Sequence, residues 1–126
     1  MNDHDMLALF RIHVDRLFVT PPTTLEKLLH ALFGMAGEVG ELIDMVKKFW
    51  IYKKDFERKN AVEELGDLLF YMQAFMIHSE ITWEEVINHN VEKLKVRYPA
   101  GYTDAAAQAR ARADKHVSND PPSPSC

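Results

Sequence analysis

Apolar residues recur at three- and four-residue steps along almost the whole chain, and no stretch of any length alternates with the period of two that a strand requires. Leu7, Phe10, Val14 and Leu17 predict a first amphipathic helix over about residues 5–18, and Pro21 and Pro22 end that region. Thr23-Thr24-Leu25-Glu26 reads as a capping box, with Thr23 as N-cap and Glu26 three residues on. The second helix it opens is expected to run to about Tyr52. Residues 53–59 are charged and aperiodic, which predicts a connection, and a third helix follows over about residues 59–79. Thr82-Trp83-Glu84-Glu85 is a second capping box, opening a fourth helix that reaches Tyr98 and stops at Pro99 and Gly101. The Ala- and Arg-rich segment over residues 103–116 predicts a loosely docked fifth helix. A disordered tail is expected over residues 117–126. The expected fold is therefore an all-α bundle forming one domain over residues 1–116.

Two acid pairs interrupt this apolar pattern. Glu38-x-x-Glu41 and Glu64-x-x-Asp67 each have the i,i+3 spacing that sets both carboxylates on one side of a helix. Met35, Leu42, Met45 and Phe49 share a stripe with Glu38; Ala61, Leu68, Tyr71 and Phe75 share one with Glu64. The ordinary reading is that such acids pair with Lys or Arg on a solvated helix face. Here the local partners are missing, since residues 28–46 contain no basic residue except His30 and residues 61–77 contain none. Carboxylates brought together repel by roughly 4 kcal/mol per pair at about 4 Å and an effective dielectric of 20. A divalent cation resolves the conflict. All-oxygen donors suit Mg²⁺, with Mn²⁺ able to substitute, and zinc fits poorly because no His accompanies the acids at ligand spacing. Gly34, Gly37 and Gly40 recur every three residues beside the first pair, either for close helix packing or to leave room for a ligand.

Composition narrows the partners. Of 126 residues, 15 are basic and 19 acidic, so setting aside the four paired acids leaves 15 of each sign. Without a basic surplus, a nucleic-acid polymer is not an expected partner. Cys126 is the only cysteine, which excludes an internal disulfide and a Cys-based metal site and fits a cytoplasmic location. The first residues, MNDHDML, do not read as a signal peptide, and the longest apolar run, residues 68–77, is too short to span a bilayer. A soluble protein with no membrane partner is expected.

In the fourth helix Ile87, Val91, Leu94 and Tyr98 form an apolar stripe, with Asn90, Lys93 and Arg97 beside it at i, i+3 and i+7. Such charges usually mark a solvated face, but Arg and Lys are also the donors that a phosphate-handling metal cluster needs opposite it. Lys47, Lys48, Lys53 and Lys54 form a second basic group beyond the first acid pair.

GEVGEL, a spacer of 22 residues between Glu41 and Glu64, EELGDLLFYM and then NVEKLKVRYPAGY together resemble the MazG-like all-α nucleoside triphosphate pyrophosphohydrolases. That family's signature is E-x-x-E, a variable spacer, E-x-x-D and a closing N-x-x-K-L-x-x-R-Y-P element; the resemblance covers about residues 25–112. It implies a four- or five-helix bundle, homodimeric or homotetrameric, that cleaves a nucleoside triphosphate to the monophosphate and pyrophosphate. It also implies that Glu38, Glu41, Glu64 and Asp67 hold Mg²⁺ and carry catalysis, while Asn90, Lys93, Arg97 and Tyr98 contact phosphates. His13 matches a base-pocket position of related enzymes by location on the first helix only, and Lys47 is a further substrate-binding candidate. Phosphoribosyl-ATP pyrophosphohydrolase activity, a nucleotide-binding regulatory bundle without hydrolysis and a purely structural helical dimer are the competing readings. No motif specifies the base.

Overall fold

A computed structural model describes residues 1–19 and 22–117. Among them are α1 (Asp3–Leu17), α2 (Thr24–Trp50), α3 (Arg58–Ser79), α4 (Trp83–Arg97) and α5 (Asp104–Val117), with no strand. The expected all-α architecture and its order of elements are observed. Pro21 and the tail beyond residue 117 lie outside the described residues, so the expectations placed on them are not addressed. The chain divides into two compact units, Met1–Thr82 and Trp83–Cys126.

Local chemistry explains most helix ends of the first unit. Asn2 caps α1 by accepting the Asp5 N–H at 2.9 Å, with Asp3 and Asp5 in the first turn complementing the helix dipole. The capping box of α2 forms as its spacing predicts: the Thr23 hydroxyl accepts from the Glu26 N–H, and the Glu26 carboxylate accepts from the Thr23 N–H, each at 3.3 Å. At the end of α3, Glu80 adopts a left-handed conformation (φ 58°). Its N–H donates to the Ile77 carbonyl and the Ile81 N–H donates to the Met76 carbonyl, which closes the helix as a Schellman motif.

The first unit is built on α3, which packs against both α2 and α1. Its centre is Val14, Phe18, Ala31 and Ala74, surrounded by Phe10, Phe70, Tyr71, Phe75 and Ile77. Phe18, just past the end of α1, stacks on His30 of α2 at 4.7 Å and lies 5.6 Å from the ring of His78 of α3, joining all three helices. At Gly34 the α2 backbone lies directly against the ring of Tyr71 on α3. A Cβ there would fall inside the ring of Tyr71, so only glycine permits this approach. Gly37 and Gly40 differ, since a Cβ at either would meet nothing within 4 Å. Close packing thus accounts for one of the three glycines, and open space flanks the other two.

In the second unit, α4 ends at Arg97, and the Tyr98 N–H still donates to the Leu94 carbonyl. Gly101 takes φ +91°, a conformation that strains any residue with a side chain, and its N–H closes a turn on the Tyr98 carbonyl. Thr103 then caps α5 by accepting the Ala106 N–H at 3.1 Å.

Candidate functional site

The packing of α2 on α3 brings one acid of the first pair against both acids of the second. Single carboxylate oxygens of Glu38, Glu64 and Asp67 all lie within 4.8 Å of one another. Glu41, three residues along α2, is outside this tight group, although its charge reaches Glu38. Glu38 and Glu64 are half-buried, whereas Glu41 and Asp67 are exposed. None of the four acids is buried in the core of the single chain, although all four lie on helix stripes that are otherwise apolar. Full burial penalties do not apply to Glu41 and Asp67, which water still reaches.

Among the described residues, none of the four acids forms an ion pair with Lys or Arg, as the absence of local bases predicted. Nearby lysines are engaged elsewhere. Lys48 pairs with Asp44 at 2.7 Å, and Lys47 lies 3.9 Å from Asp44 and over the ring of Tyr52. A neutral donor does reach the cluster: Asn60, whose Nδ2 donates to Glu64 Oε1 at 2.7 Å. Asn60 was not a sequence candidate, although its i,i+4 spacing to Glu64 was the signal available.

Unpaired negative charge has a visible consequence. The Glu38 carboxyl is held above its ordinary range, first by partial burial and then by the charges of Asp67, Glu64 and Glu41, with a hydrogen bond to Glu64 adding to the effect. Glu38 therefore binds a proton more readily than an isolated glutamate would, as a carboxylate among like charges must. The cluster's donors are hard oxygens drawn from two helices, a donor set that could hold a divalent ion such as Mg²⁺ or Mn²⁺.

His13 is exposed on α1, and Asn90, Lys93 and Arg97 are exposed on α4. Within the second unit, the four residues read as phosphate contacts do not share one surface. Lys93 and Arg97 line one depression with His89, Glu92, Val96 and Arg110. Tyr98 instead lines a mainly apolar depression with Val91, Leu94, Lys95 and Tyr102, its ring 5.3 Å from that of Tyr102. Asn90 lines neither. His89 and Arg110 went unremarked in the sequence: His89 sits one turn before Lys93, and only folding of α5 brings Arg110 to the same depression.

A sequence model described as the MazG nucleotide pyrophosphohydrolase domain matches residues 24–102, which contain both acid pairs and α4. Comparisons with curated proteins and with solved structures returned no match.

Proposed function

The chain belongs to the MazG nucleotide pyrophosphohydrolase domain family, and from that premise we propose that it hydrolyses a nucleoside triphosphate between the α and β phosphates. The products are a nucleoside monophosphate and pyrophosphate. The observation that carries this reading is the convergence of Glu38, Glu64 and Asp67 from two helices with no basic partner among the described residues. Together with Glu41, these residues would hold Mg²⁺. When bound, the ion neutralises triphosphate charge and acidifies the attacking water. A cluster carboxylate orients that water and accepts its proton, and Asn60 keeps Glu64 in register through its amide. By the family resemblance, Lys93 and Arg97 would contact phosphates of the nucleotide.

A homo-oligomer is supported by the apolar surface left on α2, where Leu25, Phe33, Ile43 and Trp50 are all more than half exposed. No helix among the described residues is long and apolar enough to cross a membrane. A cytoplasmic enzyme that clears aberrant or surplus nucleotides is the role this chemistry suits.

The test is a panel of standard and modified nucleoside triphosphates incubated with the protein and Mg²⁺, scored for pyrophosphate. At least one should be turned over, and Glu64→Gln should abolish that turnover while leaving the helical spectrum unchanged. Nucleotide-dependent thermal stabilisation without any pyrophosphate would replace the enzyme with a binding protein.

A further inference from the structure

The depression between α4 and α5 has a composition that the acid cluster does not explain. It is an open depression of about 320 Å³ lined by His89, Glu92, Lys93, Val96, Arg97 and Arg110. His89, Lys93 and Arg97 are successive members of one i,i+4 row and so project along the same strip of α4. The row spans about 12 Å of helix axis, which suits a chain of phosphates better than a single one.

Charge bookkeeping within the depression favours an anion. Glu92 is committed to Lys95 at 2.8 Å, on the same helix. Arg110 is held by Asp114, whose carboxylate lies 3.3 Å from Nε, so the terminal guanidinium nitrogens remain available for two parallel hydrogen bonds. Among the described residues, Lys93 and Arg97 have no ion-pair partner. Three permanent cations facing one concavity repel one another unless an anion joins them, and a concave wall strengthens their common field.

We propose that His89, Lys93, Arg97 and Arg110 form one polyphosphate-binding subsite, with Arg110 as its donor from α5. This deepens the functional reading above and rests on it for the identification of the anion as the phosphate chain of a nucleotide. Arg110 lies on α5, beyond the matched residues 24–102.

The probe is pyrophosphate, titrated calorimetrically into the full chain in chelator-containing buffer at low salt, so that metal at the acid cluster contributes nothing. Arg110→Gln should weaken binding by about tenfold or more, the loss of a charge-assisted pair of contacts. Arg110→Lys should recover part of the loss, and Asp114→Asn should bind nearly as well as the unaltered chain. Arg11→Gln, which removes an exposed charge from α1, should have no effect. The proposal is overturned if the unaltered chain does not bind pyrophosphate, if Arg110→Gln binds it equally well, or if Arg11→Gln weakens it as much. These outcomes are separate from failure of the enzyme reading, which shows as no nucleotide hydrolysis by the unaltered chain with Mg²⁺.

Discussion

Replacing Glu38 by Gln should stabilise the metal-free protein, against the usual direction for a change on a half-buried helix face. Glu38 has two carboxylate neighbours, Glu64 and Asp67, with oxygens within 4.8 Å. At that separation two unit charges repel by about 3.5 kcal/mol at an effective dielectric of 20, but only about 0.9 kcal/mol in a water-like one. Exposed Asp67 admits water to the cluster, so the lower figure governs and the net gain should be about 1 kcal/mol. For a chain of this size that is a rise in Tm of about 4 °C. Gln can still donate a hydrogen bond to Glu64, so the local contact is kept. The same substitution should erase the response to Mg²⁺, which in the unaltered chain reaches about 2.7 kcal/mol at a hundred times Kd. Thermal melts with chelator and with Mg²⁺ read both effects. The raised Glu38 carboxyl also fixes a pH sign: the folded chain holds that proton more tightly than the unfolded one. Metal-free stability should therefore fall as pH rises through the raised Glu38 value, and Glu38→Gln should flatten that slope. A metal-free Tm below that of the unaltered chain, or an undiminished Mg²⁺ shift, would refute the reasoning.

Gly34→Ala should destabilise by about 1–3 kcal/mol in denaturant melts because its methyl meets the Tyr71 ring; Gly37→Ala, with open space around it, should instead gain up to about 1 kcal/mol from helix propensity. The His78 imidazole is held below its ordinary range by burial first and by the charge of Lys27 second, with Asp15 opposing. Its contribution is present above pH 6.5 and lost as pH falls through the depressed value, so stability should drop on acidification over that window and His78→Phe should lessen the drop. Asn60→Ala leaves Glu64 without its amide donor and should weaken Mg²⁺ binding by about tenfold to a hundredfold; an unchanged Mg²⁺ titration would remove Asn60 from the site.

The helices were legible because their signals are local. Thr23 and Glu26 announce the start of α2 three residues apart, and the cap forms with those atoms. The acid pairs were legible for the same reason: i,i+3 spacing is a property of one helix. What spacing does not encode is how far one helix lies from another. That distance is set where Gly34 meets Tyr71, and its outcome is that Glu38 joins Glu64 and Asp67 while Glu41 stands outside the tight group. The same limit hid Arg110, because the approach of α5 to α4 is tertiary. Apolar periodicity also overstated burial. Phe49, Ile87, Val91 and Leu94 fall on predicted stripes yet remain 42–49% exposed in the single chain. Periodicity marks which face is apolar, not whether anything covers it.

The most direct measurement is product identity in ¹⁸O-labelled water, with a turned-over nucleotide, Mg²⁺ and either the unaltered chain or Glu64→Gln. Nucleoside monophosphate and pyrophosphate in equal amounts are expected from the unaltered chain, and neither from the variant. Attack at the α phosphorus puts the label in the monophosphate. Release of orthophosphate and a nucleoside diphosphate, or turnover by Glu64→Gln at the unaltered rate, would contradict a carboxylate cluster that cleaves between the α and β phosphates.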